Sequence, residues 1–348
     1  MTRAALLLLS MLLAVLGRAA AFADQSAVVL LYHRFGENDY PSTNIRLEQL
    51  DAQIKQLTSD GYHFMSLSEI AAKLKAKERL PEKTITITVD DAYKSVITEG
   101  WPKLKAAGIP LTLFVSTDPV DAASNQASSN YMTWDDIRTL DQEGVEIAHH
   151  TASHLHMPHA GLDASLSDIR RASERFETEL GYVPKLFAYP YGEYSLDLKT
   201  AIEEEGFDAA FAQYSGPAAT WSDPYALPRF PVNERYGDSS RFKLISQSKA
   251  LPVSDIVPSD IVLAEDRNPP IYGFTVDEAV RGLSALACYP SHLGKPADLI
   301  RLEGNRIEVR FDKPFPKGRN RINCTLPAGG GRWYWHGQFF LVPGGQLD

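Results

Sequence analysis

The chain is poor in cysteine, has no excess of basic residues and contains no nucleotide-binding glycine motif. Acidic residues outnumber basic ones by 44 to 35, a net charge of −9 over 348 residues. Binding to nucleic acid or to an anionic membrane surface depends on clustered lysine and arginine, so this balance disfavours both kinds of partner. No G-x-G-x-x-G or phosphate-cradling loop follows the first apolar run, and no low-complexity tract occurs. A hydrophobic fraction of 44% and a charged fraction of 23% indicate an ordinary globular chain with a large core.

The first 23 residues have the pattern of a secretory signal peptide. Arg3 supplies a positive charge, residues 4–16 form an apolar run, and Ala21-Phe22-Ala23 is a typical cleavage site before Asp24. The run is shorter than the ~20 residues that span a bilayer, and no later segment approaches that length. We therefore expect an exported protein, periplasmic or extracellular, with no integral membrane segment after cleavage. A membrane anchor or a buried helix is the alternative.

The two cysteines, Cys288 and Cys324, are an even count in a chain predicted to be exported. This favours one structural disulfide, which would stabilise the fold by ~3–4 kcal/mol according to loop entropy. Two separately buried thiols are the alternative.

From residue 27 onward, short apolar runs alternate with amphipathic helical patterns. Such a rhythm is typical of a parallel α/β sheet, either open and doubly wound or closed into a barrel. We favour a distorted (β/α) barrel over residues 24–248, which requires the functional residues to gather where the strands end. The predicted strands are 28–33, 63–66, 84–89, 111–116, 145–149, 185–190, 209–213 and 227–232.

The character of the chain changes near residue 249. Prolines are followed by short apolar runs at 299–302, 306–311, 321–326 and 333–342, separated by glycine-containing turns. This is typical of β-hairpins without helices, so we predict a small C-terminal all-β domain over 249–348. Its aromatic residues could stack on sugars, but the favoured interpretation is that they form the core of a small sheet; they are Trp333, Tyr334, Trp335 and Phe339.

Polar residues collect at the ends of five predicted strands. The clusters are Tyr32-His33-Arg34, Asp90-Asp91, the stretch from His149 to His154, Tyr189-Pro190-Tyr191-Gly192, and Arg229. Adjacent aspartates on a strand point in different directions, so one can bind a metal while the other faces the substrate.

The histidines favour a metal site near these aspartates. His150 and His154 are four residues apart, so a helical turn or a curled loop would place them on one side, whereas His149 alternates away. Two imidazoles and a carboxylate are a common ligand set for a divalent ion with open positions. A solvated or capping loop is the alternative for the histidine cluster.

This constellation resembles the polysaccharide deacetylases of carbohydrate esterase family 4, also called the NodB homology domain. The family motif T-F-D-D-G stands here as residues 88–92, Thr-Val-Asp-Asp-Ala, and H-[ST]-x-x-H stands as residues 150–154. The R-x-P-Y-G motif stands as residues 188–192, Ala-Tyr-Pro-Tyr-Gly. The resemblance covers about residues 26–235 and implies a distorted (β/α)7-type barrel.

The resemblance also implies roles for individual residues. Asp91, His150 and His154 would bind the metal, Asp90 would be the general base, and the backbone amide of Tyr191 would stabilise the oxyanion.

Two family features are absent from their usual places. The third motif lacks its arginine, for which Arg229 is the candidate substitute, and the late Leu-x-His that supplies the general acid is not present. Exported poly-N-acetylglucosamine deacetylases, which this sequence also resembles, carry a histidine on the first strand, and His33 would then be the acid.

The implied function is metal-dependent removal of N-acetyl groups from an N-acetylglucosamine-type polysaccharide, with release of acetate. Zinc suits the ligands best, while cobalt, nickel and iron also fit such sites. Two alternatives stay open: a carbohydrate-binding or polymer-guiding protein with a degenerate site, and an O-acetyl esterase acting on xylan-like glycans.

Overall fold

The structure is a computed structural model that describes residues 25–126 and 129–344. The predicted signal peptide, residues 1–23, lies outside the described residues.

The N-terminal two thirds of the described chain form one curled, mainly parallel sheet surrounded by helices. The strands of this part are β1 Ser26–Tyr32, β2 Arg34–Phe35, β3 Asn44–Ile45, β4 His63–Phe64, β5 Thr84–Asp90, β6 Leu111–Val115, β7 Glu146–His149, β8 Leu186–Ala188, β9 Ala209–Phe211, β10 Ala218–Ala219 and β11 Phe230–Pro231. The central strands pair in the order β10-β1-β5-β6-β7-β8-β9, while β11 pairs with β1 and β4 pairs with β5. The short pair β2–β3 lies apart from the main sheet.

The segment around β11 lies between the two ends of the curled sheet. Leu227 forms a parallel bridge with Phe211 of β9, and Phe230 pairs with Leu30 of β1. The predicted barrel-like α/β fold is thereby confirmed, and the carboxyl ends of its parallel strands lie at one rim.

Helices cover the outside of the sheet. Thr133 begins one of them with a capping box, in which its hydroxyl accepts from the Asp136 amide while Asp136 accepts from the Thr133 amide. Gly181, with a φ of 79°, ends the longest helix in the left-handed conformation that glycine tolerates. The α-helices are Leu47–Ser59, Leu67–Lys75, Trp101–Ala106, Thr117–Ser124, Trp134–Gln142, Met157–Ala160, Leu162–Leu180, Leu196–Glu204 and Ser239–Ser246. The turn Pro190–Gly192 is 3₁₀.

The C-terminal part consists of two four-stranded sheets. The strands are β12 Lys249–Ala250, β13 Val253–Val257, β14 Tyr272–Val276, β15 Ala287–Pro290, β16 Asp298–Arg301, β17 Arg306–Arg310, β18 Gly318–Gly329 and β19 Arg332–Val342. One sheet has the order β12-β19-β18-β15 and the other the order β13-β14-β17-β16. The predicted β-hairpins are present, and four further strands, β12 to β15, precede them. These four strands were not predicted from the sequence, because they are short and lie next to prolines.

The two C-terminal sheets pack face to face and also against the barrel. Tyr272 of one sheet contacts Phe340 of the other edge to face. On the barrel side, Trp335 packs on the ring of Phe230 with centroids 5.2 Å apart. Apolar contacts thus join the strands on both sides of residue 248, and the division into 24–248 and 249–348 stays a prediction.

Cys288 and Cys324 form the predicted disulfide, since their sulfur atoms are 1.98 Å apart. The two residues are directly opposite each other on β15 and β18. Among the described residues, no helix is both long enough and apolar enough to cross a membrane.

Candidate active site

Asp90 and Arg229 form a buried ion pair at the mouth of the barrel. Thr84, Thr86, Thr88 and Asp90 alternate along β5 onto one face, so Asp90 continues the row of side chains that enters the barrel. Its two oxygens accept hydrogen bonds from Nη1 and Nη2 of Arg229 at 2.7 and 2.8 Å. Arg229 is fully buried, and its Nε donates to the carbonyl oxygen of Ala212. The planar guanidinium therefore fixes the orientation of the carboxylate.

This pairing keeps Asp90 ionised in an apolar setting. Burial acts to raise the pKa of Asp90, but the charge of Arg229, the charge of His150 and the Arg229 hydrogen bonds together lower it. A carboxylate held in this way is available to accept a proton.

Asp91 reaches the same site because the backbone leaves the strand conformation. Strict alternation would turn its side chain away from that of Asp90. Its φ of 77° instead lies in the left-handed region, and its amide donates to the carbonyl oxygen of Phe114. Asp91 Oδ1 is consequently 3.5 Å from Nε2 of His150, and Asp90 Oδ2 is 3.9 Å from the same nitrogen. Sequence alternation alone did not predict this reversal.

The loop after β7 brings His150 and His154 together. Thr151 and His154 both have positive φ, 66° and 57°, which curls the chain without a helical turn. The ring centroids of the two histidines are 4.9 Å apart. His149 alternates to the other side of β7, where it packs against Phe176 and Phe187.

Asp168, on the helix Leu162–Leu180, holds this loop from behind. Its carboxylate accepts from the amides of Ala152 and Ser153 at 3.1 and 3.0 Å and from the Ser153 hydroxyl at 2.9 Å. Sequence reasoning missed Asp168, because no motif connects this residue with the histidine loop.

Asp91, His150 and His154 fit a divalent metal ion. One ligand atom from each lies within 4.8 Å of the others, and they are the sole such group among the described residues. The Nε2 atoms of the two histidines are 3.5 and 3.3 Å from Asp91 Oδ1. A tetrahedral ion with bonds of about 2.0–2.2 Å separates its ligand atoms by roughly 3.3–3.6 Å.

The hydrogen bonding and burial of the two histidines affect the protonation of their ring nitrogens and thus the binding of such an ion. His150 Nδ1 lies 2.7 Å from the carbonyl oxygen of Ala188, so Nδ1 carries a proton and Nε2 is the nitrogen that faces the site. Burial acts to lower the pKa of His150, but the carboxylates of Asp90 and Asp91 raise it, so metal binding at Nε2 displaces a proton. Burial lowers the pKa of His154 to about 4, with only partial compensation by Asp91, so its ring is neutral at physiological pH. Neutral imidazole is the form that binds metals.

His33 and Tyr191 lie at the same cleft as the acidic and imidazole side chains. His33 directly follows β1, and Tyr191 has a left-handed φ of 58° within the turn after β8. The Tyr191 ring stacks on His156, with centroids 3.7 Å apart, and meets the His154 ring at 4.4 Å. All seven residues predicted from the sequence therefore lie at or directly beneath one rim of the barrel.

A buried carboxylate supports the turn that contains Tyr191. The carboxylate of Glu193 lies 2.9 Å from Nδ1 of His156, from which it accepts a hydrogen bond, and 3.7 Å from Nε of Arg319. Arg319 Nη1 also donates to the carbonyl oxygen of Tyr191 at 3.2 Å. Sequence reasoning missed Glu193 and Arg319, the second because it comes from the predicted C-terminal domain.

A cleft of about 1230 Å³ is lined by His33, Asp90, Asp91, His150, His154 and Tyr191. One side is the rim of the barrel, and the other side is formed by β15, β18 and β19 of the C-terminal sheet. Such a volume exceeds that of common small-molecule pockets.

Residues 77–210 match the family model described as polysaccharide deacetylase. The Bacillus subtilis protein YxkH is 23% identical over 205 residues, which cover 59% of this chain and 71% of that protein. The poly-beta-1,6-N-acetyl-D-glucosamine N-deacetylase of Staphylococcus epidermidis is 24% identical over 236 residues, covering 61% of this chain and 81% of that protein.

The fold is also similar to that of the Streptococcus pyogenes deacetylase PplD. The TM-score is 0.58 at 18% identity, over 64% of this chain and 99% of that chain. At this identity the likeness concerns the fold alone.

Proposed function

Because the chain carries a polysaccharide deacetylase domain, we propose that it is a metal-dependent hydrolase that removes N-acetyl groups from an N-acetylglucosamine-type polysaccharide and releases acetate. The observation that carries this proposal is the convergence of Asp91, His150 and His154 beside a carboxylate held by Arg229. The similarity to a staphylococcal poly-beta-1,6-N-acetyl-D-glucosamine N-deacetylase supports the choice of an N-acetylglucosamine polymer.

In the proposed site, Asp91, His150 and His154 hold the cation. When bound, a divalent cation supplies Lewis acidity that polarises the acetyl carbonyl and activates water. Zinc suits two imidazoles and a carboxylate best, and cobalt, nickel or iron would also fit this ligand set.

Asp90 is the proposed general base. It lies beside the ligand group, since its Oδ2 is 3.9 Å from the His150 Nε2 that faces the cation site. Arg229 keeps it ionised and oriented, so it can take the proton of the attacking water. Arg229 thereby replaces the arginine that the third motif lacks.

Tyr191 and His33 complete the proposed reaction. The backbone amide of Tyr191 stabilises the oxyanion that forms when water adds to the acetyl carbon, a contribution of ~3–4 kcal/mol for one donor in comparable sites. His33, in its protonated form, then donates a proton to the departing amine nitrogen. The carbon–nitrogen bond breaks, and acetate and a free amino sugar leave.

The proposed location is outside the cytoplasm. It is supported by the predicted signal peptide over residues 1–23 and by the macromolecular nature of the proposed substrate. The proposed chain after cleavage comprises the barrel, 24–248, and the β-rich C-terminal domain, 249–348.

A panel of acetylated glycans tests the proposal. We expect the metal-loaded protein to release acetate from β-1,6-linked N-acetylglucosamine oligomers faster than from acetylated xylan. Faster release from xylan would instead establish an O-acetyl esterase. Binding of the oligomers with no release from any glycan would indicate a carbohydrate-binding protein.

Replacing the proposed base separates chemistry from metal binding. Asp90→Asn is expected to retain one equivalent of metal and to lower kcat by about 100-fold or more, because amide nitrogen cannot accept the water proton. Metal content by elemental analysis and acetate release would be measured on the same sample. A variant with full metal and normal kcat would show that the base has been misassigned.

A further inference from the structure

The cleft face of the C-terminal sheet is built by strict alternation along β18. Arg319, Arg321, Asn323 and Thr325 line the cleft. The intervening side chains are buried behind them in the core; these are Asn320, Ile322, Cys324 and Leu326. One polar row therefore faces the reaction site, while the opposite face of the same strand stabilises the fold.

Aromatic side chains flank this polar row on both neighbouring strands. Trp333 of β19 and Tyr289 of β15 line the cleft and are 36% and 46% exposed. Trp335, by contrast, is only 8% exposed and donates its indole N–H to Asn323 Oδ1 at 3.0 Å. The expectation that the C-terminal aromatics form a core thus holds for Trp335 and Phe339, but Trp333 keeps an accessible ring.

This face is continuous with the proposed active site. Next to the turns that follow β8 and β9, Arg319 donates to the carbonyl oxygen of Tyr191, and Arg321 Nε lies 3.4 Å from the carbonyl oxygen of Gln213. Gly337 approaches the barrel so closely that a Cβ there would lie 1.9 Å from the carbonyl oxygen of Ser215. From Arg319 to Thr325 the strand runs about 20 Å along the cleft at ~3.4 Å per residue.

The chemistry of the face matches a chain of sugars. A pyranose ring has an apolar C–H face that packs on an aromatic ring, and hydroxyl and amide groups at its edge that pair with arginine, asparagine and threonine. A purely apolar ligand would offer this polar row no hydrogen bonds, at a cost for each polar group that it covers.

We propose that the cleft face of β15, β18 and β19, defined by Tyr289, Arg321, Asn323, Thr325 and Trp333, binds the sugar units that flank the acetylated unit. This inference rests on the proposed function, since it assigns the polymer-binding part of that same cleft. Binding of the flanking units supplies transition-state stabilisation from outside the reaction centre, so longer oligomers are the better substrates.

Chain-length dependence tests the assignment. In the full metal-loaded protein, kcat/KM for acetate release is measured with a dimer and a pentamer of β-1,6-linked N-acetylglucosamine. For Trp333→Ala we expect the pentamer-to-dimer ratio of kcat/KM to fall about tenfold, as for a central aromatic contact in an interface. Tyr289→Ala, on the other flank of the row, should lower the ratio in the same direction.

Tyr182→Ala is the matched control. Tyr182 is similarly exposed, at 37%, but it lies outside the cleft, where its hydroxyl donates to Asp141. Its removal should leave the ratio unchanged. The proposal would be overturned if Trp333→Ala lowered kcat/KM equally for the dimer and the pentamer. It would also be overturned if the pentamer-to-dimer ratio were unchanged in both Trp333→Ala and Tyr289→Ala.

A binding measurement separates this inference from the proposed function. In an Asp90→Asn background, titration calorimetry should show tighter binding of the pentamer than of the dimer, with the difference reduced by Trp333→Ala. This outcome would support sugar binding by the cleft face even if the wild-type protein released no acetate. The absence of acetate release would contradict only the proposed reaction. Equal affinities for the two oligomers would contradict the proposal that the cleft face binds the flanking sugar units.

Discussion

At the scale of single residues, the proposed reaction depends most directly on the buried pair Asp90–Arg229. The arginine is buried and has the carboxylate as its charged partner. Removing one member of such a pair leaves an uncompensated buried charge, whereas the intact pair contributes much less to stability than its geometry suggests.

Arg229→Met is therefore expected to reduce both stability and activity. The free energy of unfolding should fall by about 3–5 kcal/mol, as for other broken buried pairs, and kcat/KM by about 100-fold because the base loses its orientation and charge partner. Denaturant unfolding and acetate release would measure the two effects. Arg229→Lys retains the charge but not the bidentate contact. Relative to Arg229→Met, it should therefore restore more of the free energy of unfolding than of kcat/KM.

Arg170 provides the control for this substitution. It pairs with Glu205 on the protein surface, where ion pairs contribute little. Arg170→Met should leave the unfolding midpoint and kcat/KM unchanged. Equal effects of the two methionine variants would contradict the role assigned to Arg229.

The residues predicted for the site lie together in the structure, but the sequence did not predict the backbone geometry that brings them together. Period-two alternation correctly places Asp90 and His150 toward the barrel interior and His149 away from it. The positive φ of Asp91 and of His154, which bring these ligands into position, depends on contacts with segments distant in the chain. Such contacts leave no local pattern.

At the scale of elements, the histidine loop depends on the helix behind it. Asp168 accepts three hydrogen bonds from Ala152 and Ser153, so it holds the loop between the two imidazoles. Carboxylates that support a metal site in this way act on affinity without touching the ion.

Asp168→Ala is expected to weaken zinc binding by about 10–100-fold, the usual effect of losing a supporting partner. Competition with a chromophoric chelator would measure the dissociation constant. Glu174→Ala, an exposed position on the same helix, should bind zinc like the wild type. An unchanged constant for the Asp168 variant would mean that the loop is held by other contacts.

The elements themselves followed from the sequence to different degrees. The barrel strands and the helices were predictable, because they depend on local features of the sequence. These features are the periodic spacing of apolar residues and the presence of residues such as Thr133 and Gly181 at helix ends. Strands β12 to β15 were not predictable, since they are short and flanked by prolines, and they are stabilised by packing with distant strands. The same reason explains why Arg319, on β18, could not be associated with Tyr191.

At the scale of the whole molecule, the C-terminal sheets share a core with the barrel and form one side of the cleft. The disulfide between Cys288 and Cys324 joins β15 to β18, the strands that carry Tyr289 and the polar row. Because it closes a loop with a sequence separation of 36 residues, it restricts the unfolded chain.

Replacing both cysteines by alanine should lower the free energy of unfolding by about 3–4 kcal/mol. Chemical denaturation of the oxidised wild type and of the double variant would measure this difference. Zinc content should stay at one equivalent per chain, since the ligands belong to the barrel. A difference below about 1 kcal/mol would show that the disulfide adds little to the packing of the two sheets.

The central claim is that one divalent ion, held by Asp91, His150 and His154, is needed for deacetylation. It is tested most directly by stripping the protein with a chelator and titrating zinc back while acetate release from N-acetylglucosamine oligomers is followed. We expect activity to vanish on stripping and to return in proportion to zinc, with saturation at one equivalent per chain. Full acetate release by the thoroughly stripped protein, or none at any zinc content, would contradict the claim.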